Sequence, residues 1–202
     1  MITVVDYGMG NLRSVTKAVE LFTPHVRVSA DPGSIRDSAA LIMPGDGAFG
    51  MAMEDLSARG WIEPIMEYIR GDGHFFGICL GFQLLFTMSE EFGSHRGLDL
   101  IPGSVVRFRK KGLKVPHMGW NRVEMTSGSE YLHGIESGCY FYFIHSFYPE
   151  VRDRSWVIGE VEYGDRFSCI VGKGNVIATQ FHPEKSHAAG LRIIENFVRA
   201  AC

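Results

Sequence analysis

Residues 75–83 read FFGICLGFQ. An apolar run ends at Gly77, a lone thiol follows at Cys79, and Gly81 opens a stretch with helical character. A strand that enters a helix through one glycine-flanked residue has the form of a nucleophile elbow, GxCxG. The flanking glycines are required because the turn crowds its neighbours. The turn lifts the sulfur clear of the sheet edge and aims the first backbone N–H groups of the helix at whatever the sulfur attacks. Those N–H groups and the helix dipole favour a thiolate. Pattern alone leaves a second reading open, a cysteine packed in a glycine-rich turn of the core.

Strand and helix signals alternate outward from this point. Ile2–Asp6 is apolar and β-branched and reads as a buried strand. Gly8 and Gly10 form a turn, and Asn11 caps a helix running to about Phe22. Val26–Ser29 and Ala39–Met43 read as further strands, the latter ended by Pro44-Gly45. Helices are predicted over Ala48–Ala58 and Ile62–Arg70, a strand over Phe75–Ile78 and a helix over Leu80–Glu91. Nearly continuous apolar strands between helices indicate a parallel sheet covered on both faces. From about Gly103 the texture changes to short alternating strands: Ser104–Phe108, Arg122–Met125, Tyr140–Ile144, Val157–Tyr163 and Ser168–Gly172. Val176–Gln180 is one more apolar strand, and His187–Ala200 is a closing helix. The fold class is α/β, a mostly parallel sheet flanked by helices with an additional antiparallel or mixed β segment. No linker or repeat divides the chain, so residues 1–202 are taken as one domain.

The chain has 202 residues, 46% of them hydrophobic, which suits a sizeable core. Net charge is -3 with no basic block beyond RFRKK at 107–111. That stretch reads as a solvated strand end, so no nucleic-acid partner is expected. No apolar run has the ~20 residues of a bilayer span. MITVVDYG lacks a basic lead and a cleavage site and reads as a strand. Cys79, Cys139, Cys169 and Cys202 show no paired spacing, and the histidines show no zinc spacing. A reducing cytoplasm, no disulfide framework, no metal and no cofactor are the expectations.

A nucleophilic thiol needs a base. The stretch QFHPE places His182 just after a strand, on the sheet edge expected for Cys79, with Glu184 two residues on. In extended chain those side chains point the same way, so Glu184 can hold the imidazole tautomer. His145, in YFYFIHS, is a rival base with no carboxylate following it. The turn Pro44-Gly45-Asp46-Gly47 follows a strand and can offer backbone N–H groups beside that of Leu80; it reads equally as a plain connection. Gln83 sits one turn past the thiol and can bind a polar head group, although an exposed helix glutamine is the default. Glu91 has the same ambiguity. Gly8-Met9-Gly10 resembles half of a dinucleotide fingerprint, but Arg13 stands where the third glycine belongs, which excludes that site. Trp120 is either a core aromatic or an interface anchor.

DYGMGNLRSV, PGDGAF, GICLGFQLLF, PHMGWN, FYFIHSFYP and QFHPEKS, in this order over nearly the whole chain, resemble the class I, triad-type glutamine amidotransferases. DYGMGN and PHMGWN resemble the branch of glutaminase subunits that serve imidazole glycerol phosphate synthases. The resemblance implies a flavodoxin-like fold and hydrolysis of L-glutamine, with ammonia passed to a (β/α)8 cyclase partner in a heterodimer. It makes Cys79 the nucleophile, His182 the general base and acid, and Glu184 its orienter. It places Gly47, Gln83, Glu91, Ser146 and Phe147 around the glutamine. Leu80 and the Gly45–Gly47 turn become oxyanion donors, and Asn11 and Trp120 partner-facing residues. Asp46 departs from the usual PGVG, and its carboxylate is expected to point away from the thiol. A hydroxylated aromatic is common in place of Phe147. Rival readings are an amidotransferase serving a different synthase, a catalytically silent regulatory subunit, and a cysteine peptidase-like hydrolase on the same scaffold.

Overall fold

The computed structural model describes residues 1–201. In chain order the elements are β1 (Ile2–Val5), α1 (Leu12–Glu20), β2 (Val26–Ser29), β3 (Ala40–Gly45), α2 (Phe49–Ala58), α3 (Ile62–Arg70), β4 (His74–Cys79) and α4 (Leu80–Gln83). Then come β5 (Phe86–Ser89), β6 (His95–Arg96), β7 (Ile101–Arg107), β8 (His117–Met125), β9 (Tyr140–His145) and β10 (Phe147–Val151). The chain closes with β11 (Val157–Tyr163), β12 (Asp165–Lys173), β13 (Val176–Thr179) and α5 (His187–Ala201).

A nine-stranded sheet has the order β2-β1-β3-β4-β13-β12-β11-β8-β9. Its first five strands are mutually parallel and the remaining pairings antiparallel. A separate four-stranded sheet runs β10-β7-β5-β6. This is the expected architecture of a helix-flanked parallel sheet extended by antiparallel β structure. The side-chain period of two divides the core between the sheet faces. Ile2 and Val4 join α1 and α5 on one face, where Val19, Ile193 and Phe197 are buried. Val5, Leu41 and Met43 join α2 and α3 on the other, with Leu56 and Ile65. Asn11 caps α1 by accepting the Ser14 N–H at 3.1 Å.

The helix predicted over Leu80–Glu91 is wrong beyond Gln83. Only α4, a single turn, follows the elbow, and Phe86–Ser89 is strand β5, parallel to β7 and antiparallel to β6. Leu84, Leu85 and Phe86 are all fully buried. An apolar run buried on every side carries no period that separates helix from strand. β3 extends through Pro44-Gly45, and β6 and β10 carry no signal of their own in the sequence. In RFRKK, Phe108 is buried among Tyr148, Phe167 and His145, while Arg109 pairs with Glu90. No helix among the described residues is long and apolar enough to cross a membrane.

Candidate active site

Three neighbouring strands deliver their C-terminal ends to one place. In register, Gly45 of β3 lies opposite Cys79 of β4, and Thr179 of β13 lies opposite Ile78. Ligands of open parallel sheets gather at such strand ends. Cys79 has φ 56° and ψ −107°, a left-handed conformation that costs a non-glycine residue of order 1–3 kcal/mol. Both flanking glycines are sterically required. A Cβ on Gly77 would lie 2.7 Å from the Gly81 carbonyl oxygen, and one on Gly81 would collide with the Met43 carbonyl.

The His182 backbone is pinned from two sides. Its N–H donates to the Tyr142 carbonyl at 3.0 Å, and its carbonyl accepts the Ser186 hydroxyl at 2.6 Å. Its Nδ1 donates to Glu184 Oε1 at 2.9 Å, with the carboxylate side chain 1% exposed. The extended-chain argument for this pair fails, although the contact exists. Only His182 is extended; Pro183–Lys185 form a 3-10 turn that swings Glu184 back beneath the ring. Burial alone would lower the imidazole pKa. The Cys79 sulfur, by charge and hydrogen bond, and then Glu184 outweigh burial and raise it to about 10. Glu184 Oε2 is buried without a partner.

A cleft of about 410 Å3 opens over the thiol. Of the residues singled out in the sequence it brings together Asn11, Asp46, Gly47, Cys79, Leu80, Gln83, Glu91, His145, Ser146, Phe147 and His182. Trp120 stands apart from it, 46% exposed and stacked on His187 with ring centroids 4.9 Å apart. Gly47 has φ 92°, and Asp46 Oδ1 accepts the Gly10 N–H at 3.0 Å, which ties its carboxylate to the neighbouring turn. Among the described residues no acceptor takes the Gly47 N–H.

Gln83 is buried, not the exposed helix residue its position suggested by default. Its Nε2 donates to the Phe147 carbonyl at 2.9 Å and to Gln180 Oε1 at 3.0 Å. Glu91 lies in the loop after β5, not on a helix; its Oε2 accepts the Phe49 N–H at 2.7 Å and so caps α2 from a distance. Sequence reasoning missed Gln180, whose Nε2 points at Cys79 Sγ from 4.0 Å. It also missed Lys185, which lines the cleft. Both lie within QFHPEK, one helix-turn's length around the histidine. The rival base, His145, is committed elsewhere: Nδ1 donates to the Phe147 carbonyl at 2.8 Å. No three His, Cys, Asp or Glu side chains are gathered as a metal would need among the described residues. Beneath the cleft the Tyr7 hydroxyl is buried without a partner, and burial, then the charges of Asp46, Cys79 and Asp55, keep it protonated.

Residues 3–201 match the family model for class-I glutamine amidotransferases. The chain is 49% identical over 203 residues to the imidazole glycerol phosphate synthase subunit HisH of Syntrophotalea carbinolica, covering 98% of each chain. It is 45% identical to the HisH subunit of Desulfitobacterium hafniense, covering 98% of this chain and 93% of that one. Among solved structures it resembles a glutamine amidotransferase with a TM-score of 0.75 at 20% identity, covering 99% and 98% of the two chains. PurLQS from Thermotoga maritima is similar in fold, with a TM-score of 0.74 at 17% identity and coverage of 98% and 97%. The chain belongs to the class-I glutamine amidotransferase family, and within it to the HisH subunits.

Proposed function

We propose that the chain, acting as one amidotransferase domain in the cytoplasm, is the glutaminase subunit of an imidazole glycerol phosphate synthase. The observation that carries the chemistry is the line from the strained Cys79 through His182 to the buried Glu184 carboxylate. The Cys79 thiolate attacks the side-chain carbonyl carbon of L-glutamine, and the C–O π electrons move onto oxygen. The Leu80 N–H and an N–H of the Gly45–Gly47 turn stabilise that oxyanion. His182 gives its proton to the leaving nitrogen, and ammonia departs as the thioester forms. The neutral ring then takes a proton from water, which attacks the thioester and releases glutamate. Gln83, Glu91, Ser146 and Phe147 surround the amino-acid end of the substrate.

The ammonia acceptor is a (β/α)8 cyclase docked as a heterodimer. The apolar outer face of the β8–β9 edge supports this. Met118 is 57% exposed and Tyr140 58%, with Trp120 between them and Ile144 reaching the cleft rim. Asn11 lies on the same rim. In the presence of the partner, a γ-diazoketone analogue of glutamine is expected to add to Cys79 alone, as mapped by peptide mass. Glutaminase activity retained by Cys79→Ala would overturn the assignment. Trp120→Ala is expected to weaken partner affinity ~30-fold or more, the size of an interface hot spot. Unchanged affinity would remove Trp120 from the interface.

A further inference from the structure

His117 and His145 face each other across the β8–β9 ladder, both on its inner side. His117 Nδ1 and His145 Nε2 are 3.0 Å apart, and both rings are buried. Burial pushes His117 down to about 4. Burial, partly offset by the Phe147 carbonyl and reinforced by His117 and His182, pushes His145 to about 3. Each ring is therefore neutral near pH 7 and holds one donor and one acceptor. The proton positions follow by elimination. The Phe147 carbonyl can only accept, so His145 Nδ1 carries the proton and its Nε2 is an acceptor. His117 must then donate from Nδ1, which leaves its Nε2 to accept from the Asn121 amide at 3.3 Å. Asn121 is held in that sense because its Nδ2 also donates to the Glu162 carbonyl at 2.9 Å and its Oδ1 accepts the Arg122 N–H at 2.8 Å.

The chain of donors continues into the cleft. The Phe147 carbonyl, already bonded by His145, also accepts from Gln83 Nε2. The second Gln83 N–H meets Gln180, whose Oε1 must face it, so Gln180 Nε2 is turned toward the Cys79 sulfur. Both Gln83 N–H groups are thus used, and its Oε1 is left without a protein donor among the described residues. The His117 ring is clamped between Tyr163 and Phe143, with centroids 3.9 Å and 4.8 Å away and planes within 17° and 21°. That stack fixes the plane of the ring.

We propose that His117 and His145 are positioning residues for the substrate clamp: their one-way hydrogen bonding fixes the Phe147 carbonyl and thereby holds Gln83 with its oxygen toward the ammonium group of an amino-acid substrate. The proposal rests on the glutaminase assignment. Neither ring touches the reacting atoms. A His117 that offered an acceptor to His145 would move the His145 proton to Nε2. Two lone pairs would then oppose each other at the Phe147 carbonyl, and the clamp would lose its anchor.

The test uses the full chain with its cyclase partner and L-glutamine. Activity in the wild-type complex comes first, since its absence refutes the glutaminase assignment and not this inference. His117→Leu removes the donor, and His117→Asn places an amide N–H close to the position of Nδ1. The leucine variant is expected to raise KM for glutamine ~10-fold or more with kcat within about threefold, the weight of a hydrogen bond to a charged group. The asparagine variant is expected to restore KM to within about threefold of wild type. Glutamine affinity measured by calorimetry in a Cys79→Ala background is expected to follow the same order, independent of chemistry. If His117→Leu does not fold, His145→Asn and His145→Gln make the comparison, because only asparagine presents its amide near Nδ1 and keeps a donor on Phe147. Unchanged KM in a folded variant lacking the donor, or failure of the asparagine variant to restore it, overturns the proposal.

Discussion

Glu184→Gln is a sharp test of the His182 environment, because it changes charge with almost no change in shape. The carboxylate accepts from His182 Nδ1 at 2.9 Å, and its other oxygen is buried with no partner. A glutamine has two ways to sit there. With its oxygen on Nδ1, its NH2 occupies the partnerless position, and an orphaned buried donor costs ~1–3 kcal/mol. With its NH2 on Nδ1, the ring proton is forced to Nε2, facing the sulfur, and the ring can no longer accept a proton there. Either way a charge-assisted bond worth ~1.5–3 kcal/mol becomes at best a neutral one worth ~1. The stability loss near pH 6 is then about 1–2 kcal/mol, roughly 2–8 °C in Tm for a chain of this size. Catalysis suffers more, because the tautomer is lost as well as the charge. A fall in kcat of ~10²–10⁴ is expected. Thermal unfolding at pH 6 and glutaminase turnover with the partner bound would both be measured. A kcat within threefold of wild type in a folded Glu184→Gln protein would refute the role given to the carboxylate.

Tyr7→Phe removes a hydroxyl that is buried without a partner, and it is expected to leave stability unchanged or to raise it by up to ~1–2 kcal/mol in urea unfolding; a loss above ~1 kcal/mol would mean the hydroxyl is bonded. Stability should also fall in mild acid. His117 and His145 have folded pKa values below the usual 6.5, so the unfolded chain binds the extra protons and stability drops as pH falls below about 6.5, by ~2–4 kcal/mol at pH 5. His182 has the opposite sign: its raised value contributes stability fully below about 6.5, and this is lost as pH rises through about 10. The three together place a stability maximum near pH 6.5, and a flat profile from pH 7 to pH 5 would contradict the neutral pair.

The order of strands and helices through Cys79 was legible because each strand is bounded by turn residues and each helix has one apolar stripe. β2 and α3 fall on the predicted limits. The error after Gln83 has a local cause: Leu84 to Phe86 are packed on all sides, so nothing in their pattern distinguishes a strand from a helix. The candidate triad residues could be named because each belongs to a short contiguous motif. The contacts of Gln83 could not, because its partners Phe147 and Gln180 lie 64 and 97 residues away. The His117–His145 pair is hidden for the same reason. It depends on the register between β8 and β9, which neither strand carries alone.

The position of β13 also bears on when the protein becomes reactive. Among the described strands it comes last in chain order, yet it is inserted beside β4, and Gln180 meets Cys79 across 101 residues of chain. At ~5–20 residues per second, a ribosome delivers that strand roughly 5–20 s after the thiol. Throughout that interval the nascent chain carries Cys79 without His182, the base proposed for it. If His182 is the base of Cys79, a truncated product ending before β13 would be inert toward glutamine.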